Sequence, residues 1–177
     1  IGELPIWLSM TRGTAAAGTA SPYTWDFDYS QTAANAPQSY TLVATDGIQQ
    51  YAVNYSLAES ITIAADRNGL TNLSASLFAQ NVAKNSATLA EGTPTSPFLS
   101  GRLWNAYQHG SSFPGTADGT AYEYLLDFSL EFNAGITRQS YLAGTSTFST
   151  HAESAPFSGT LTLTVSSTAS AVSTWYD

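Results

Sequence analysis

In the segment Tyr23-Thr24-Trp25-Asp26-Phe27-Asp28-Tyr29, every odd position is aromatic and every even position polar. A period of two is the pattern of a strand with one packed face and one wet face, and it is incompatible with a helix. The pattern recurs. Tyr122 to Asn133 places Tyr122, Tyr124, Leu126, Phe128, Leu130 and Phe132 on one side, against Glu123, Leu125, Asp127, Ser129 and Glu131, and is expected to be the longest strand. Gly159 to Ser166 alternates Leu161, Leu163 and Val165 with Thr160, Thr162 and Thr164, a threonine content that favours sheet. Ser39 to Thr45 and Gln49 to Ser56 flank Asp46-Gly47, which accepts the positive φ of a tight turn, so they are expected to pair antiparallel. Ser60 to Ala64 and Leu70 to Val82 flank Asn68-Gly69 and predict a second hairpin, with Leu73, Ala75 and Leu77 on one face.

Helical spacing is confined to Phe98 to Tyr107, where Leu99, Leu103 and Tyr107 recur every four residues after Pro97. Thr11 to Pro22, Thr32 to Pro37, His109 to Gly119 and Leu142 to Ser158 are rich in Gly, Pro, Ser and Thr and predict loops, the last of them a loop or a short edge strand. No composition break divides the 177 residues. The expectation is mainly β: one domain over 1–177, an antiparallel β-sandwich or barrel of two packed sheets with one flanking α-helix, residues 1–22 forming an arm or loop.

Composition narrows function. Thirteen acidic residues against five basic ones, a formal charge of −8, argue against a protein that grips nucleic-acid phosphates. Cysteine is absent, which removes disulfides, thiolate metal sites and a cysteine nucleophile. No apolar run approaches the roughly 18 residues of a spanning helix, and no membrane partner is expected. The first residue is Ile1 rather than Met, as expected of a processed or trimmed product.

Catalytic patterns are weak. Asp26 and Asp28 share a strand face about 6.6 Å apart by strand rise, inside the window of roughly 6.5 to 9.5 Å of an inverting glycosidase pair. Two acids on the wet side of an amphipathic strand arise without any such role. Asp127 and Glu131 lie about 13 Å apart by the same rise, too far to act on one glycosidic bond. His109 and His151 fall in predicted loops without metal-ligand spacing. There is no G-x-S-x-G, P-loop or G-x-G-x-x-G pattern, and Asp66-Arg67-Asn68-Gly69 begins like a calcium loop whose further ligands do not follow. Asn54-Tyr55-Ser56 and Asn72-Leu73-Ser74 match the glycosylation sequon, a pattern common by chance in a chain rich in Ser and Thr. No enzyme, no metal and no cofactor is expected. An aromatic-rich sandwich leaves a carbohydrate-binding module as an alternative.

The order of features from Gln38 to Tyr55, through Glu59-Ser60-Ile61-Thr62-Ile63 and Leu73 to Ala79, resembles the major tail tube proteins of long-tailed bacteriophages. The likeness continues through Glu91-Gly92-Thr93-Pro94, Arg102-Leu103-Trp104-Asn105-Ala106-Tyr107, Leu125 to Asn133 and Gly159 to Val165. It covers roughly residues 22 to 177, and its weight lies in the ordered series, since each motif also serves a generic β-sandwich. The chain ends at Trp175-Tyr176-Asp177, where such proteins usually continue, so a truncated C-terminus is expected. The resemblance implies two packed sheets with a flanking helix, a fold shared with the tube-forming haemolysin co-regulated proteins of type VI secretion. It implies a virion tail protein, assembled in the bacterial cytoplasm, whose subunits close six to a ring and stack into a tube for DNA ejection. Partners would be further copies of the chain, the tape measure and terminator proteins, and DNA in passage. An acidic wall repels phosphate and lets DNA slide. Glu123, Asp127, Ser129 and Glu131, with Asp26 and Asp28, are the candidate lumen-facing residues. Another virion structural protein, such as a head decoration protein, shares this class.

Overall fold

The structure, a computed structural model, describes residues 4–12, 16–17, 25–27, 35, 37–46, 48–85, 99–104, 107–108, 120–121, 124–140 and 150–166. In chain order these contain α1 (Leu4–Arg12), β1 (Ala16–Ala17), β2 (Trp25–Asp26), β3 (Tyr40–Thr45), β4 (Gln50–Asp66), β5 (Asn72–Phe78) and β6 (Asn81–Asn85). A 3-10 turn at Gly101–Leu103 follows, then β7 (Tyr107–Gln108), β8 (Thr120–Ala121), β9 (Leu125–Asn133), β10 (Ile136–Gln139), β11 (Thr150–Glu153) and β12 (Ser158–Val165). The fold is mainly β, built of antiparallel sheets with one α-helix in keeping with a β-sandwich, and the described strands close no barrel. The main sheet runs β12-β9-β4-β3, with β5 and β6 also hydrogen-bonded to β4. Three two-stranded pairs, β1-β2, β7-β8 and β10-β11, complete the described sheet structure.

The chain divides into two compact units, 1–61 with 74–96 and 132–159, and 62–73 with 97–131 and 160–177. Neither is continuous in sequence, so a composition break could not mark them.

In the first unit the Asp46-Gly47 hairpin forms as expected, with Leu42 opposite Val53 and Thr45 opposite Gln50. The register shifts between Tyr40 and Leu42. Facing this shift, Tyr55 takes a positive φ of 54° and Ser56, fully buried, donates its hydroxyl to the Val53 carbonyl at 3.0 Å. An irregularity of this kind lets a strand bend without ending. The two short strands expected at 49–56 and 60–64 are therefore one, and β4, with 17 residues, is longer than the strand expected to be longest. Leu70 to Val82 conversely divides into β5 and β6, with the Gln80 N–H bonded to the Asn54 carbonyl at 2.9 Å. Ala75 and Leu77 pack on the core as expected, whereas Leu73 is exposed.

The helix at residues 4–12 corrects the expectation of an arm or loop. Leu4, Trp7 and Leu8 follow helical spacing, and Pro5 sits in the first turn, where its missing N–H has no intrahelical partner to lose. Met10 is fully buried with Ala58 and Ile61, and Trp7, Leu8, Tyr40, Leu42, Ala75 and Leu77 close the cluster. Two polar contacts fix the helix on β3: the Ser9 hydroxyl shares a hydrogen bond with the Tyr40 hydroxyl at 3.0 Å, and the Gln38 N–H reaches the Ser9 carbonyl at 2.9 Å. A second cluster joins Leu57, Ala134 and Ile136 with Tyr55 and Phe78. Within 142–158, expected as a loop or a short edge strand, Thr150–Glu153 is the short strand β11, which pairs with β10, Ile136 opposite Glu153.

In the second unit, of the segment expected to be helical from Phe98 to Tyr107, the described residues form a single 3-10 turn at Gly101–Leu103, with Trp104 extended and Tyr107 in β7, while Phe98, Asn105 and Ala106 lie outside the described residues. Ser100 caps the turn through its hydroxyl, the Trp104 N–H returns to the Gly101 carbonyl, and Trp104 is already extended (φ −87°, ψ 132°). Trp104 is held outside helical geometry by its indole N–H, which donates to the Thr71 hydroxyl at 2.7 Å, and by its edge contact with Phe128 at 4.8 Å. Tertiary partners override a short helical pattern that glycine already weakens. β9 keeps its predicted alternation only in part: Phe128 is buried and Glu131 exposed, but Leu125, Leu126, Asp127, Ser129 and Leu130 are all half-buried, and Tyr124, expected on the packed side, is exposed. In the 23–29 strand only Trp25 and Asp26 lie in β2, Phe27 follows outside it, and the remainder falls outside the described residues.

Candidate functional site

The predicted acidic residues distribute as follows. Asp127, Ser129 and Glu131 occupy alternate positions of β9 and so share one sheet face. Asp127 and Ser129 are half-buried and Glu131 is exposed, so this face is not uniformly wet. Asp26 lies in β2 opposite Ala16. Asp28 and Glu123 lie outside the described residues, as does His109; His151 sits in β11 opposite Arg138. Among the described residues no group of three or more His, Asp or Glu is placed to hold a metal ion. The first sequon is occupied structurally: Ser56 is buried, and the Asn54 amide donates to the Asn81 side chain at 2.8 Å.

Apolar side chains are exposed on β6 and β12, one of them, Leu161, within the alternation read at 159–166. Leu161 in β12 is 58% exposed and Val82 in β6 is 64% exposed. Both lie on strands with a single described partner, β9 for β12 and β4 for β6. A strand side without a partner offers backbone N–H and C=O groups as a template for another strand, and among the described residues each of these two has one such side.

Two turns closed by aspartate side chains carry exposed apolar side chains, Ile48 and Leu70. At the β3-β4 turn, one carboxylate oxygen of Asp46 accepts the N–H groups of Gln49 at 2.7 Å and Ile48 at 2.9 Å. The Asp46 N–H closes the turn on the Gln49 carbonyl at 3.3 Å, and Ile48 projects from it, 96% exposed. At the β4-β5 turn, Asp66 accepts the Asn68 N–H, and Leu70 bridges to Ser100, bringing the 99–104 segment alongside. Gly101 is required here, because a Cβ would overlap the Asp66 carbonyl oxygen.

The Gln49 N–H, and after it the Ile48 N–H, hold the Asp46 carboxyl below its ordinary pKa of 3.8. A lowered folded pKa means that this turn's stabilisation is present above the unfolded value and is lost as pH falls through the folded one. The Ile48 and Gln49 amide resonances are therefore expected to titrate with a midpoint below 3.8, and to lose that titration in Asp46→Ala. A midpoint at or above that value would mean the carboxylate does not close the turn in solution.

A scan against models of known protein families finds no match to this chain, and comparison with curated protein sequences finds none either.

Proposed function

We propose that the protein is a self-assembling structural subunit of a virion, a tail tube protein of long-tailed bacteriophage type, and not an enzyme. The observation that carries this reading is the pairing state of the outer strands. β12 combines one strand partner among the described residues with the exposed Leu161 and has no charged residue or proline of its own, whereas β6, with the exposed Val82, carries one lysine, Lys84; a protein acting alone ordinarily blunts such an edge with charge, proline or cover. A neighbouring copy supplies both the missing backbone partners and the apolar cover. Subunits joined this way meet through unlike surfaces, and such contacts close into rings or run on as filaments.

In this reading six copies form each ring, rings stack, and Asp127, Ser129 and Glu131, with Asp26, Asp28 and Glu123, face the channel. Their charge keeps phosphates in transit from binding. The formal charge of −8 supports a conduit and not a nucleic-acid clamp. The tape measure and terminator proteins would contact the finished tube, in the virion tail assembled in the host cytoplasm.

Purified protein is expected to shift from monomer to rings or tubes as its concentration is raised, seen together by sedimentation and negative-stain imaging. A strict monomer at millimolar concentration that binds a polysaccharide saturably would replace this reading with the carbohydrate-binding one.

A further inference from the structure

Two of the five cationic residues in this acidic chain are neighbours. The Arg102 Nε donates to the Arg67 carbonyl at 3.2 Å, and both side chains are exposed. Beside them stand Leu70, 53% exposed, and Leu103, 67% exposed. The four residues form one pad because Leu70 bridges to Ser100, and the Leu103 N–H returns to the Ser100 carbonyl at 3.1 Å. The pad is tied to the turn: the Gly101 N–H bonds to the Gly69 carbonyl at 3.0 Å, and the Trp104 indole N–H donates to the Thr71 hydroxyl. Asp66 is exposed at the same turn, with a carboxylate oxygen that accepts the Asn68 N–H, so the described residues of the turn and the 99–104 segment carry two guanidinium groups and one carboxylate.

Exposed leucines flanked by guanidinium groups fit a partner that is apolar and acidic at once. The chain carries such a feature. Ile48 is the most exposed of the large apolar side chains among the described residues, and Asp46, exposed two positions before it, is ionised at neutral pH. The carboxylate that clamps the turn also holds Ile48 in place, so little ordering cost remains on docking.

We propose that the β3-β4 tip of one copy seats on the Arg67–Arg102 pad of a second copy, with Ile48 against Leu70 and Leu103 and Asp46 facing the guanidinium groups. This inference rests on the self-assembly reading and adds the surfaces that meet. The tip and the pad are different surfaces, so the contact is head-to-tail and propagates from copy to copy. It is too small to hold subunits alone, since stable interfaces bury about 1,200 Å² or more, and it sets register where strand pairing supplies area.

The absence of cysteine provides the test. Separate Ile48→Cys and Leu103→Cys proteins, both exposed substitutions, are mixed under mild oxidation, with Ile48→Cys plus Val82→Cys as the control pair. At least tenfold more cross-linked dimer is expected from the first pair. Adding Arg67→Glu and Arg102→Glu to the Leu103→Cys chain should lower that yield, and Asp46→Lys in the Ile48→Cys chain should restore it. Equal yields from the two pairs overturn the docking. Equal yields with tubes still forming would leave the assembly reading standing. Preferential cross-linking that is reversed and restored by the charge changes, in a protein that forms no rings or tubes, would support the docking while overturning the tail tube reading.

Discussion

Gly135→Ala is expected to lower stability by about 2–5 kcal/mol, combining a left-handed backbone cost of roughly 1–2 kcal/mol with an overpacking cost of roughly 1–3 kcal/mol. Gly135 has φ +62°, a conformation that L-residues rarely adopt. A Cβ there would overlap the Ala155 carbonyl oxygen and lie 2.8 Å from its carbon, both backbone atoms that cannot rotate away. The same residue is a hydrogen-bonding hub. Its N–H donates to the Asn133 side chain at 2.9 Å, and its carbonyl accepts the N–H groups of Ser154 at 2.8 Å and Ala155 at 3.1 Å. Shifting the backbone to relieve the overlap would strain these bonds as well. At roughly 2–4 °C per kcal/mol for a chain of this size, a fall in Tm of about 4–20 °C should follow. Gly69→Ala is the internal comparison, because its new Cβ would meet at 3.0 Å only the end of the Asp66 side chain, which can move. Denaturant unfolding that finds Gly135→Ala no worse than Gly69→Ala would remove the conformational argument.

Ile61→Ala should cost about 2–5 kcal/mol, because it deletes a buried side chain and leaves a cavity that the surroundings fill only in part. Ile61 is fully buried between Met10 of the helix and Ala58 of its own strand, with Tyr40, Leu42, Ala75 and Leu77 packed around the cluster. Ile61→Val, which removes one methylene, should cost only about 0.5–1.5 kcal/mol. Met10→Ala extends the test to the helix. If α1 is seated as described, Met10→Ala should be destabilising on the same scale, and the double variant should depart from additivity by at least about 0.5 kcal/mol, as for residues in contact. A near-neutral Met10→Ala would return residues 4–12 to the status of a detached arm.

The elements legible from sequence are those whose two faces differ chemically. β9 and β12 announce themselves by alternation, and Asp46-Gly47 announces its hairpin by turn chemistry. β4 is read as two pieces because Ser56-Leu57-Ala58 is buried without alternation, and nothing local shows that a positive φ at Tyr55 carries the strand through its irregularity. The helix is misplaced for a related reason. Leu99, Leu103 and Tyr107 have the spacing of a helix, yet the indole of Trp104 is claimed by Thr71, a residue 33 positions away. Residues 4–12 show only about two turns of helical spacing and contain a proline, and their stability comes from Ala58, Ile61 and Leu77, which are distant in sequence. At the candidate sites, the alternation of β9 places Asp127, Ser129 and Glu131 on one face but not on one side of a tube wall. Exposure at Ile48 and the Arg67–Arg102 pairing are tertiary facts with no periodic signature.

The two-sided pairing of β4 also orders events during synthesis. Its β3 side closes on residues already made, and β5 follows within a few residues of its end. The hydrogen bonds from Arg67 to Leu126 and from Ala134 to Glu59 require β9, which begins 59 residues after β4 ends. At about 5–20 residues per second, the ribosome takes roughly 3–12 s to supply that strand. For that interval a nascent chain carries an unpaired β edge, so the step most sensitive to cellular chaperones is the wait for β9 and not the closing of either hairpin.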